Sequence, residues 1–125
     1  MNQVVLIGRL TKDPEIRYAQ NGNAQCIFTL AVDRGLSREK KEEMTAEGKP
    51  TADFIRIVVW GKSAENCSKY LSKGSQCAVS GRIVTGSYEA SDGTRRYTTD
   101  VNANFVEFLR GTESAAEMPQ EDFPF

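Results

Sequence analysis

The chain has 125 residues, enough for one domain with a real core and too few for two, and it contains no histidine. The missing histidine removes histidine triads, His metal ligands and the side chain best suited to proton transfer at neutral pH. With no GxSxG, GxxxxGK[ST] or GxGxxG stretch either, esterase, nucleotide-hydrolysis and dinucleotide chemistry have no anchor. Charge is divided along the chain: residues 1–112 hold all 16 Lys+Arg against 13 Asp+Glu, while Glu113, Glu117, Glu121 and Asp122 give the remainder −4. A mildly basic body thus precedes an acidic tail, and these properties argue for a binding protein rather than an enzyme, with no catalytic residue to name.

The body is punctuated like an all-β domain. Val4–Leu10 is a β-branched and aliphatic run closed by the turn-prone Lys12-Asp13-Pro14, and Ala24–Val32 follows Asn21-Gly22, a strong hairpin signal. The run Val4, Val5, Leu6, Ile7 is too short for a signal-peptide core or a membrane span and has no basic leader, which predicts a cytoplasmic protein with no membrane partner. These four residues are apolar on both faces of a strand, where one side of a small barrel wall should meet water, so they predict a homo-oligomer interface. Arg34–Asp53 is polar, carries Gly and Pro without a sustained apolar period, and reads as a long solvated loop.

The third strand is "FIRIVVWG". Ser63 then caps a short helix on which Ala64, Cys67, Tyr70 and Leu71 share a face and which Gly74 stops. Cys77–Tyr88 and Arg95–Leu109 are the fourth and fifth strands, joined through Ser91-Asp92-Gly93-Thr94. Five strands with one helix between the third and fourth is the order of an OB-fold, a partly open Greek-key barrel that often binds oligonucleotides. Cys26, Cys67 and Cys77 are odd in number and lack ligand spacing, which predicts reduced, buried thiols, no metal site and no cofactor.

The clearest chemistry lies in the third strand. Its side chains alternate, so Ile55, Ile57 and Val59 belong inside the barrel while Phe54, Arg56, Val58 and Trp60 share the other face, about 7 Å apart along the strand. Two aromatics around a cation suit unpaired bases stacked beside their phosphates. On the fourth strand Cys77, Val79 and Ile83 take the core phase, leaving Ser80, Arg82, Val84 and Tyr88 on the opposite one. Arg95, Arg96 and Tyr97 back the hairpin, and Lys62 and Lys73 flank the helix, where they could continue a basic track. Phe54 and Trp60 could equally cover a second core or a subunit interface. Tyr97 shares its phase with Val101, Ala103 and Phe105, and Phe28 with Leu30 and Val32, so core is the better reading for both.

The stretches "NQVVLIGRLTKDPEIRYAQNG", "ADFIRIVVWGKSAENCSKYLSKGS", "GRIVTGSYEASDGTRRYTTDV" and "EDFPF", in this order, resemble the bacterial single-stranded DNA-binding protein family. That resemblance implies an OB-fold homotetramer, nucleoid-associated in the cytoplasm, that binds single-stranded DNA and serves replication, recombination and repair. It puts stacking on Phe54, Trp60 and Tyr88 and basic contacts on Arg56, Lys62 and Lys73, with Arg82 and Arg96 beside them. The stacking aromatic common in the family's second loop has no counterpart here, where only Leu36 stands, so aliphatic contact or the nearby Arg34 and Arg38 must serve instead.

Three segments follow: an OB-fold domain over 1–110, a linker over 111–120 and an acidic tip over 121–125. Ten flexible residues span roughly 17 Å, so the tip works close to the body. Glu121, Asp122, Phe123, Pro124 and Phe125 have the parts of a short linear motif, two acids and two aromatics around a rigid proline, with replication, recombination and repair proteins as the implied partners. The competing reading is an OB-fold adaptor of a primosome-like complex that binds only proteins. RNA stays an open alternative ligand, because stacking does not see the 2′-hydroxyl.

Overall fold

A computed structural model describes the backbone of residues 1–110 and the side chains of residues 1–109. The described residues form six strands and two helices: β1 (Val4–Leu10), β2 (Glu15–Tyr18), β3 (Ala24–Asp33), α1 (Arg38–Ala46), β4 (Ala52–Trp60), α2 (Lys62–Tyr70), β5 (Gln76–Glu89) and β6 (Arg95–Arg110). The strands make one sheet in the order β1-β5-β6-β4-β3-β2. The sheet closes because β1 turns from β5 onto β3, pairing Arg9 with Ala31 and Leu10 with Leu30. This closure makes the OB-fold barrel. All pairs are antiparallel except β4 with β6, where Ile57, Val58 and Val59 run alongside Val101, Asn102 and Ala103.

Closure needs the chain to pass very close to itself at two glycines. A Cβ on Gly8 would collide with the Ala31 carbonyl, and one on Gly81 with the Asn102 carbonyl. Only glycine lets β1 change partners at Gly8 and β5 lie this close to β6 at the register shift beside Gly81.

The core is lined by Leu30, Ile57, Val59, Val79 and Val101, with Ala64, Cys67 and Leu71 of the α2 segment packed against one end. All three cysteines are free and buried, as expected. Burial pushes the Cys26 thiol up to about 11 and the Cys67 and Cys77 thiols up to about 12, so they stay protonated and pack as small apolar groups.

Several elements differ from expectation. β2 was not foreseen: "EIRY" is four residues long and becomes a strand only because the Asn21-Gly22 turn, with Gly22 at φ +86°, folds it onto β3 from Glu15↔Ile27 to Tyr18↔Ala24. The segment expected as a loop contains α1, held by the Ser37 hydroxyl accepting from the Lys40 amide at 3.2 Å and by an Arg38–Glu42 ion pair at 3.4 Å. No residue of α1 is buried, so there was no apolar period to read. α2 begins after Gly61 in a positive-φ conformation, without a side-chain cap, and not at Ser63.

Three core assignments also fail. Tyr97 is exposed because β5 and β6 extend as a two-stranded ribbon past the last β4–β6 pair, Ile57↔Val101, and Ile83 is exposed at the root of that ribbon, beyond Gly81, where β1 stops pairing with β5. Phe105 is exposed for another reason: pairing jumps from Ser80↔Phe105 to Gly81↔Ala103. Asn104 is therefore an extra residue, the phase inverts, and Val106 packs against the core in place of Phe105. Tyr70 leaves the core face of its helix and packs on Phe108 with ring centroids 5.9 Å apart.

Candidate nucleic-acid interface

The site starts from alternation along β4. Ile57 and Val59 are buried and Ile55 packs against the core, which turns Phe54, Arg56, Val58 and Trp60 outward. Phe54 and Trp60 remain 62% and 46% exposed, too much for rings that cover a second core within the protomer. Val58 departs from the expected surface: it is outward-facing but buried, flanked in the sheet by Ile27 and Asn102.

Sheet pairing extends this face to β5. Val58 lies beside Asn102 of β6, and Asn102 beside Arg82 of β5, so Arg82 points the same way. The register from Arg82 to Glu89 is continuous, so Val84 and Tyr88 keep that orientation, and Arg96 lies opposite Tyr88. Phe54, Trp60 and Tyr88 therefore share one surface with Arg56, Arg82 and Arg96, with β6 between the two aromatic-bearing strands. β4 and β5 are thus about 10 Å apart.

Carboxylates accompany several of these cations. Asp100 stands 3.9 Å from the Arg56 guanidinium and Asp92 3.6 Å from that of Arg96. Sequence reasoning missed Asp100, because the parallel β4–β6 contact that brings it to Arg56 has no local signal. At the ribbon tip, the Thr94 hydroxyl and then its amide hold the Asp92 carboxyl below the usual carboxylate range.

The remaining sequence-predicted cations lie around the platform's margins. Lys62 is the first residue of α2, exposed and 3.9 Å from Glu65. Lys73 is exposed in the loop after α2, and its amide donates to Asp13 at 2.8 Å, which ties it to the β1–β2 turn. The structure does not bring Arg34 onto the face as a free cation. Its guanidinium donates to Asp53 at 3.0 Å and to the Pro50 carbonyl, clasping the root of the α1 excursion. Arg38 pairs with Glu42, and Leu36 is half-buried.

On β1, alternation separates the four apolar residues. Val4 and Leu6 pack inward, while Val5 and Ile7 are 65% and 53% exposed. Val5 is joined across Ser80 to the exposed Phe105, and β1 meets β3 only from Arg9 onward. An apolar patch and a strand edge with no described neighbour are thus presented together.

Among the described residues, no group of His, Cys, Asp and Glu is placed to hold a metal ion, and no helix is long and apolar enough to cross a membrane. The linker and the Glu121–Phe125 motif lie outside the described residues.

The model of the single-strand binding protein family matches residues 1–109. The chain is 56% identical over 119 residues to single-stranded DNA-binding protein 2 of Clostridium acetobutylicum, covering 94% of this chain and 84% of that relative. It is 51% identical over 125 residues to single-stranded DNA-binding protein 3 of the same organism, covering 98% and 81%. With the single-stranded DNA-binding protein of Bacillus cereus, identity is 47% over 117 residues, covering 94% and 65%. A family model that matches residues 1–109 and relatives 47–56% identical over 94% or more of this chain settle the family: the chain belongs to the single-strand binding protein family.

Proposed function

We propose that this protein binds single-stranded DNA without reading its sequence. Unpaired bases stack on Phe54, Trp60 and Tyr88, and phosphates meet Arg56, Arg82 and Arg96 on the platform, with Lys62 and Lys73 at its margins. The observation that carries this reading is the convergence of three exposed rings and three cations on one sheet face in a chain of this family. Each stacked base contributes roughly 1–3 kcal/mol, and every base has a π-face, so affinity does not depend on sequence. A duplex offers no such faces, which is the source of strand discrimination.

Two finer assignments belong to the same proposal. The Val5–Ile7–Phe105 patch and the β1 edge join copies of the chain, with a homotetramer as the assembly. Residues 111–120 act as a linker and Glu121–Phe125 as a motif for replication, recombination and repair proteins. Removal of Asp122–Phe125 should spare DNA binding and abolish partner capture.

Trp60 provides its own test by fluorescence. Oligo-dT should quench it, with affinity falling as salt rises because bound phosphates release counterions. Trp60→Ala, followed by anisotropy of a labelled oligonucleotide, should weaken binding by about 5- to 150-fold, the equivalent of one lost stacked base. Equal affinity for duplex, or unaltered affinity after Phe54→Ala and Trp60→Ala together, would sink the reading, and absence of any oligo-dT binding would favour the protein-only adaptor.

A further inference from the structure

Beside Arg56, at the β2 margin of the platform, the surface opens into a cleft of about 260 Å³. Cations from three elements line it: Lys12 from the β1–β2 turn, Arg17 from β2 and Arg56 from β4. Ile27 of β3 supplies an apolar wall, and Asp13 and Glu15 line the cleft beside the cations. Both acids are already engaged, Asp13 with the Lys73 amide at 2.8 Å and Glu15 with Arg17 at 3.2 Å. Three cations against two acids leave the lining with a small net positive charge toward an incoming ligand.

Its size falls just below the range of ligand clefts, which run from about 300 Å³ upward, so it has room for no more than one nucleotide. An apolar wall with cations opposite it suits a base and its phosphate better than a bare anion, which would gain nothing from Ile27. The cleft also removes a discontinuity. Arg56 belongs both to the platform and to the cleft, and Asp13, which lines the cleft, anchors the Lys73 loop, so the cleft links the platform to a cation otherwise separate from it.

We propose that this cleft is a subsite for one further nucleotide of the bound single strand, its phosphate held by Lys12 and Arg17 and its base laid against Ile27. The strand then leaves the platform past Arg56 toward Lys73. This inference rests on the single-strand reading above.

The test uses the full chain carrying Lys12→Ala and Arg17→Ala together. Both side chains are exposed, so the barrel should fold, which a thermal melt verifies. Binding of oligo-dT is measured over a length series at several salt concentrations. The expected result is an affinity loss that grows once the oligonucleotide is long enough to pass Arg56. The slope of log K against log salt should become shallower by about 0.7 to 1.4, roughly 0.7 for each phosphate contact and less for Arg17 because Glu15 already pairs with it. No loss, or a loss equal at every length, overturns the subsite while the wild-type titration still supports the platform. Failure of the wild-type chain to bind oligo-dT would instead remove the single-strand reading itself.

Discussion

Asp100 shows how a single residue tempers the platform. Its carboxylate stands 3.9 Å from Arg56 and is the more buried of the two groups, so it both orients the guanidinium and discounts its charge. Arg96 and Lys62 carry similar acidic partners in Asp92 and Glu65. Cations that are already paired release fewer counterions on binding a phosphate, so the salt dependence of binding should be smaller than a count of cations implies. Asp100→Asn should therefore strengthen oligo-dT binding and steepen the salt slope by about 0.7, as read by fluorescence titration. Weaker binding would mean that Asp100 matters mainly for positioning Arg56. The aromatic residues were legible in the sequence because alternation along one strand is local. Asp100 was not, because it lies forty-odd residues away and meets Arg56 only through a parallel pairing.

At the scale of elements, α1 and the two closure glycines behave in opposite ways. α1 buries nothing and rests on a cap and surface ion pairs. Asp33, just before it, accepts from the Gly35 amide and from Lys41, which hold its carboxyl below the ordinary value of 3.8. That tether is present above 3.8 and is lost as pH falls through the lowered value of the folded state. Ser37→Ala should cost the helix about 1 kcal/mol. Amide exchange over residues 38–46 should accelerate while the denaturation midpoint of the whole domain stays in place. Gly8→Val is the contrary case. Its side chain meets the Ala31 carbonyl at the point where the barrel closes, so the domain should lose about 1–3 kcal/mol or more, seen as a lower midpoint in urea. A variant with unaltered stability would show that β1 can separate from β3 without penalty.

At the scale of the whole molecule, two of the exposed apolar surfaces among the described residues have different companions. The platform mixes aromatics with cations, whereas the β1 patch of Val5, Ile7 and Phe105 is aliphatic and aromatic and adjoins a strand edge. The first suits a polyanion with π-faces and the second suits another copy of the chain. On the proposed self-association, Ile7→Glu should shift the protein to smaller species in light scattering while leaving circular dichroism unchanged, since this side chain is outside the core. An assembly that survives the substitution would place the interface elsewhere.

Alternation along β1 and β4, the Asn21-Gly22 turn, the helical face of Ala64, Cys67 and Leu71, and the divided charge were all available from the chain alone, because each rests on residues close in sequence. They were enough for an OB-fold with an aromatic, basic face. Tertiary structure decided the rest. The Asn104 bulge moved Phe105 from core to surface, the overhanging ribbon exposed Tyr97 and, at its root, Ile83, and Arg34 was turned to Asp53. The β2 hairpin carried Arg17 into a cleft with Arg56. Register, closure and ion pairing depend on which distant strand lies alongside, and no local pattern of residues contains that information.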